Sequence, residues 1–518
     1  MRCFLLNCLF LLIVHFGYSQ SIVYVTQTGN GAGSGTSWAN ALPGTLLASR
    51  VATAQAGTHF WVKAGTYKPT TTTDRTASFS IASGVSVYGG FVGNETSIYQ
   101  RTYQNITNNY VTTLSGRLND QSGSIHVVSI TDATQPITLD GLTISGGRIV
   151  MADYERSGAG LYVNQRGQHQ ATLTISTCRF YDNFVYGTLS GGGAIAVVTE
   201  NSGRVIAKVS QSTFSNNQAG QGGAYVTLIL GGSVKSEFTD CSFVSNGGAL
   251  SAGAIDNSYS SSDSLNSLTI RRCRFSNNRA GHRGGAVTTG AQSVLIEDSL
   301  FDSNWLAYPS SFGGGGAIDA SGCLRAQYRN CLFYGNTAFQ GGAIFSSSVG
   351  QYTQHNYVNC TFANNTASTS GGAVYNDPFG GASPGASFPN YSVTRLTNCI
   401  AWGNTAPAFP AFYVVYGSEY STRPLTNHCI IQDYNPEFYI GANNSGLDPL
   451  FVSVQGRNYR LTTNSPAINA GDPSLSAFSS ANDLAGNPRI RGGRIDIGAY
   501  EYECDLNACV PFTVQRRQ

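Results

Sequence analysis

Two carboxylates, Asp256 and Asp319, each follow a Gly-Ala-Ile string directly, at Gly253-Ala254-Ile255 and Gly316-Ala317-Ile318. Equal offsets in parallel repeats place both on the same outward side. Two repeats apart, they stand about 10 Å from one another. That is near the upper edge of the separation at which one carboxyl protonates a glycosidic oxygen while another activates water. The same offset carries Ala196, Val226, Thr288, Phe345 and Tyr375. The row thus runs from small residues through two acids to two neighbouring aromatics. Asp offers acceptors to sugar hydroxyls, and two adjacent rings offer a stacking platform. Asp256, Asp319, Phe345 and Tyr375 are therefore the candidate binding residues, unless the insertion from Pro378 to Pro389 lies over the rings.

No catalytic residue is assigned. A calcium-assisted lyase needs clustered carboxylates and a Lys or Arg base, and no such cluster occurs. The polygalacturonase-like strings Asn-Thr-Asp, Asp-Asp, Gly-His-Gly and Arg-Ile-Lys are absent. His282, between Gly281 and Arg283, reads as a solvated corner histidine. Near the end of the chain Asp472, Asp483, Asp496 and Glu501 alternate with Arg489, Arg491 and Arg494. Internal ion pairs account for them better than calcium does. No metal or cofactor is expected.

The elements that must position these residues are repeats of about 30 residues. The clearest copies read Cys-x-Phe-x-x-Asn and then Gly-Gly-Ala-Ile: Cys273, Phe275 and Asn278 lead to Gly284-Gly285-Ala286-Val287, and Cys331, Phe333 and Asn336 to Gly341-Gly342-Ala343-Ile344. The Cys slot holds Cys178, Ser212, Cys241, Cys273, Ser299, Cys331, Cys360, Cys399 and Cys429. A bulky residue such as Ile270 or Tyr328 stands three positions earlier. Alternation within Leu268-x-Ile270 and Cys273-x-Phe275 marks strands, and the three-residue step between them marks a bend. Each turn therefore has three sides. Paired Gly in every copy, β-branched and aromatic enrichment and no 3.6-residue stripe exclude helical repeats. The fold class is all-β: a right-handed parallel β-helix solenoid, with a short N-terminal capping helix over 41–54.

Composition agrees. The 518 residues include 61 Gly and only 11% charged residues, with 41% hydrophobic, which suits strands joined by tight corners and argues against disorder. A net charge of +2 lacks the basic footprint of a nucleic-acid binder. Seven of the Cys share one inward slot, and buried Cys behaves as a small hydrophobe, so a ladder of free thiols is expected. Cys504 and Cys509 lie outside the coil, and their pairing stays open.

Residues 1–19 read as a signal peptide: Arg2, the apolar run Leu9 to Val14, and small residues at Gly17 and Ser19. A membrane anchor is the alternative, but the run is short for a bilayer. The mature chain then divides into an N-terminal cap and first coils (20–145), β-helix repeats (146–460), a C-terminal cap closing the other end (461–503) and a tail (504–518). No transmembrane span is expected in it.

The Phe-x-x-Asn and Gly-Gly-Ala-Ile repeats resemble those of the chlamydial polymorphic outer-membrane proteins. Gly35-Thr36-Ser37-Trp38-Ala39-Asn40-Ala41, Trp61-Val62-Lys63-Ala64-Gly65-Thr66-Tyr67, Asn464-Ser465-Pro466-Ala467-Ile468-Asn469-Ala470-Gly471-Asp472 and Asp496-Ile497-Gly498-Ala499-Tyr500-Glu501 are similar to segments of bacterial choice-of-anchor Q β-helix proteins. These resemblances imply a pectin-lyase-like solenoid, export and a surface role, with extracellular glycans or surface partners as ligands. A non-catalytic, adhesin-like scaffold is the leading function. A polysaccharide lyase or glycoside hydrolase working in a groove on the flank is the alternative.

Overall fold

The computed structural model describes residues 21–101, 111–119, 122–150, 157–260, 265–308, 314–347, 353–377, 392–415, 423–477 and 482–503. Residues 1–19, expected to be a signal peptide, the 378–389 insertion and Cys504 and Cys509 lie outside the described residues.

Four parallel sheets of 14, 12, 8 and 11 strands run along the coil, each strand pairing with its equivalent in the next turn. One turn reads Arg325–Arg329, Leu332–Tyr334, Thr337–Gln340 and Ile344–Ser347. The expected parallel β-helix is present. Its cross-section corrects the three-sided expectation, because a fourth strand stands between the Cys-x-Phe and Gly-Gly-Ala-Ile strands. In many turns this strand is only an outward–inward pair, such as Arg279–Ala280 or Trp305–Leu306. Two residues are too few to display alternation.

The corners explain the spacing. The residue before the Cys slot is left-handed, with φ of 49° at Arg272 and 56° at Asn330, which produces the three-residue step. A second left-handed residue, such as Asn277 or Ser303, precedes the Asn of each repeat. Asn, Asp and Ser recur at these corners because short polar side chains tolerate that region best after Gly.

Three inward ladders fill and lock the interior. Phe180, Phe214, Phe243, Phe275, Phe301, Phe333 and Phe362 stack with centroids 4.6–5.1 Å apart. The Cys slot forms a column of buried free thiols whose Sγ atoms face backbone carbonyls, as Cys331 faces Arg329 and Ile296. Burial pushes the Cys178 thiol up to about 12, so it stays protonated and unreactive. The third ladder is Asn183, Asn217, Asn246, Asn278, Asn304, Asn336, Asn365 and Asn404. Each Nδ2 donates to the next Oδ1 at 2.9–3.0 Å.

At the N-terminal end the helix is Leu47–Thr53, shorter than expected. Leu42–Pro43 instead pairs as a strand with Val25 and Thr26, since the residue before Pro avoids the helical region. Leu47 and Val51 cover the first coil. At the other end, Ile440 and Ser445 bridge to Leu425 and Ile430, and Tyr439 joins the core. The 461–503 segment does not close that end. It turns back along the outside of the Cys-x-Phe sheet as a strap: Ile497 and Leu461 pack on Ile400 and Ile430, and Tyr500 and Leu484 join the cluster around Leu332 and Tyr334. Its backbone reaches Asn398, Thr361 and Asn330. The sheet's outward residues there are apolar, so the strap shields them from water.

Phe275→Ala should destabilise the coil by about 3–5 kcal/mol through lost burial and a residual cavity. Asn304→Ala should cost on the order of 3 kcal/mol by stranding donors and acceptors on both neighbours. Cys273→Ser should be mild, because Ser212 and Ser299 already occupy equivalent slots. Denaturant unfolding of the three variants tests this order, and a Cys273→Ser loss as large as that of Phe275→Ala would contradict it.

Candidate functional site

The expected row is in register: Ala196 pairs with Val226, and Asp256, Thr288, Asp319, Phe345 and Tyr375 follow in succession. Its exposure corrects the expectation. Asp256 and Asp319 are 1% and 0% exposed, and Phe345 and Tyr375 only 6% and 8%. Neighbouring turns cover the row. A Cβ on Gly314, in the corner of the preceding turn, would stand 2.9 Å from the Phe345 ring. Phe345 and Tyr375 stack at 5.4 Å, and Tyr375 meets Tyr413.

The two acids are likewise engaged. Asp256 accepts from the Ser251 and Ser258 hydroxyls and the Ser258 N–H. Asp319 accepts from Ser321 and lies 3.6 Å from the Arg283 guanidinium. Burial raises the pKa of both carboxyls, with Arg283 opposing. They anchor a corner and do not face solvent.

The open surface lies on the fourth sheet. Its outward column reads Arg148, Phe184, Gln218, Gly247, Arg279, Trp305, Thr337 and Thr366, one residue per turn. The inward partners, among them Val185, Ala219, Ala280 and Leu306, are buried. A hollow of about 730 Å³ runs along this column from Phe184 to Trp305. Trp305 is 42% exposed, Tyr186 42% and Tyr308 57%, so three aromatic faces border it. Gly247 forms part of the floor. A Cβ there would meet only Gln218 Cγ, at 3.7 Å, so the missing side chain opens space. Amide and hydroxyl groups come from Gln218, Asn277 and Thr188.

Across the corner formed by Gly281, His282 and Arg283 lies a second hollow of about 460 Å³, and His282 packs on Tyr308 at 5.6 Å. His282 is thus a partly buried edge of the groove, not a solvated corner. Arrayed aromatic faces with scattered hydrogen-bonding groups suit an extended polar ligand with apolar ring faces. The sequence reading missed this column because it missed the strand, although Trp305 follows the ladder residue Asn304 directly.

With four sheets, inward ladders and a flank groove in view, the chain is similar to known coils. Residues 194–381 match the family model described as the right handed beta helix region. Among solved structures, the crystal structure of pectate lyase Pel9A aligns with 14% identity over 94% of this chain and 97% of that chain, with a TM-score of 0.39. No curated protein matches the chain significantly. Among the described residues no helix is long and apolar enough to cross a membrane.

The acids of the strap hold the β-helix flank together. Arg489, fully buried, pairs with Glu501 at 3.0 Å and donates to the carbonyls of Gly498 and Ala499 and to Asn330. Asp483 accepts from the N–H groups of Ala485, Asn487 and Glu501, and Asp496 from those of Asn469 and Tyr502. Asp472 accepts from Asn427 and Ser474. The single Arg489–Glu501 contact and many backbone amides thus stand in place of the several Arg–acid ion pairs expected among these residues.

Burial, with Asp496 nearby and Arg489 opposing, raises the Glu501 carboxyl to about 8. The folded state therefore binds this proton more tightly than the unfolded chain does. The resulting stability is complete below the ordinary value of 4.5 and is lost as pH rises through about 8. Hydrogen exchange of the strap should accelerate between pH 5 and about 9 beyond the intrinsic rate, as its opening free energy falls by a few kcal/mol. Glu501→Gln should flatten that dependence. An unchanged profile in the variant would refute the assignment.

Proposed function

We propose that this chain is an exported, surface-displayed β-helix that binds a polysaccharide along the fourth-sheet groove without cleaving it. The observation that carries this reading is the line of solvent-open aromatic faces at Tyr186, Trp305 and Tyr308 around a floor opened by Gly247. Turns repeat every 4.8 Å or so, a period comparable to one hexose unit, so successive rings of a polymer meet successive turns. The leader-like residues 1–19 and the likeness of the repeats and end segments to polymorphic outer-membrane and choice-of-anchor Q proteins support export and an adhesin-like role. Burial of Asp256 and Asp319 leaves neither carboxyl positioned against a ligand in the groove, which favours binding over glycosidic cleavage. It also moves the proposed ligand surface from Phe345 and Tyr375 to Trp305 and Tyr308.

A glycan array run beside a polysaccharide-degradation panel tests this reading. Binding without degradation is expected. Trp305→Ala with Tyr308→Ala should weaken it at least about tenfold, since exposed aromatic anchors carry most of such an interface, while the melting transition hardly moves. Gly247→Leu, at ordinary φ, should block the floor to similar effect. Undiminished binding in both variants would overturn the proposal.

A further inference from the structure

Among the described residues the groove's only charged lining residue is Arg279, and Arg148 lies in the same column one turn beyond the lining residue Phe184. Both guanidinium groups lie on aromatic faces: Arg279 is 5.1 Å from the Trp305 centroid, and Arg148 5.4 Å from that of Phe184. Neither meets a carboxylate among the described residues. The acid nearest in sequence to Phe184, Asp182, is taken by Arg117. Several other basic residues around the coil are paired with acids, as Arg272 is with Asp240 and Arg166 with Asp132. An arginine stacked on a ring keeps its planar edge free to take a carboxylate or sulfate through two parallel N–H donors. The ring also holds the guanidinium in place, so less freedom is lost when an anion arrives.

We infer that the groove is built for an acidic polysaccharide, whose anionic groups are read by Arg148 and Arg279. This rests on the groove being the ligand site. The two arginines are four turns apart, about 19 Å, so the ligand carries anionic groups at several places along its length. The stretch between them, Phe184, Gln218 and Gly247, is uncharged and suits sugar rings and hydroxyls. A nucleic acid would need a denser basic track than two cations. The corner beyond Gly281 adds no further free cation, because Arg283 is engaged by Asp319.

The test titrates the full mature chain with four probes: a uronate oligomer, its carboxyl-reduced neutral counterpart, a sulfated oligosaccharide and a single-stranded oligonucleotide. The neutral counterpart should bind the wild type at least about tenfold more weakly than the uronate, as charge-assisted hydrogen bonds imply. Arg148→Gln and Arg279→Gln should each weaken an anionic probe by about that factor and leave the neutral one unchanged. The double variant should also lose the salt dependence. The uronate and sulfate arms show which anion fits, and preference for either supports the inference. Equal binding of charged and neutral oligomers, or wild-type affinity in the double arginine variant, overturns it. If Trp305→Ala with Tyr308→Ala weakens both oligomers while the arginine variants weaken neither, the groove stands and the charge reading falls. If the aromatic variants leave uronate binding intact, the groove reading itself fails. Tighter arginine-dependent binding of the oligonucleotide than of every sugar would overturn the ligand class.

Discussion

Everything described above depends on the asparagine ladder. Each ladder Asn lies inside a corner where backbone groups would otherwise be buried without partners. Asn304 donates to the carbonyl of Phe275 and to Asn336 Oδ1, and accepts from both the N–H and the Nδ2 of Asn278. The amide is suited to this because one planar group supplies two donors and an acceptor. A carboxylate in the column would bring buried like charges within one turn of each other, and a hydroxyl could not span both neighbours. Repetition lets each bond orient the next.

The ladder also fixes what faces solvent. The residue after each ladder Asn begins the fourth strand, and it points outward because the Asn points inward. Phe184, Gln218, Gly247, Arg279, Trp305, Thr337 and Thr366 are all successors of ladder residues. The interior therefore accepts almost no variation, whereas the position beside it varies from Gly to Trp. That contrast is what the physics of a stacked coil predicts: interior columns are constrained by their own copies above and below, and exterior columns are free to take up a ligand.

The coil was legible in the sequence because its interior columns repeat the same residue types. Phe275 and Phe301, or Cys331 and Cys360, announce their own alignment. The registered row through Asp256 and Phe345 was legible for the same reason. Its burial was not, since whether a corner such as Gly314 passes over Phe345 depends on the path of the chain between turns and not on spacing. The groove escaped because a two-residue strand such as Trp305–Leu306 has no period. The strap's course was also hidden, because Arg489 meets Asn330 across 159 positions and no local pattern encodes so distant a contact.

That distant contact changes how the molecule comes apart. A solenoid held only by neighbours frays turn by turn from its ends, with each coil adding a small independent increment. Here a single segment is stitched to Asn330, Thr361, Asn398 and Asn427, which ties four successive turns into one cooperative block. The turn of Leu300 still packs against the strap's Leu484 edge, and the turns before it remain free to open singly. Most of the groove lies along that loosely coupled stretch, so a ligand lying across Phe184 to Arg279 would fasten turns that the strap does not stitch.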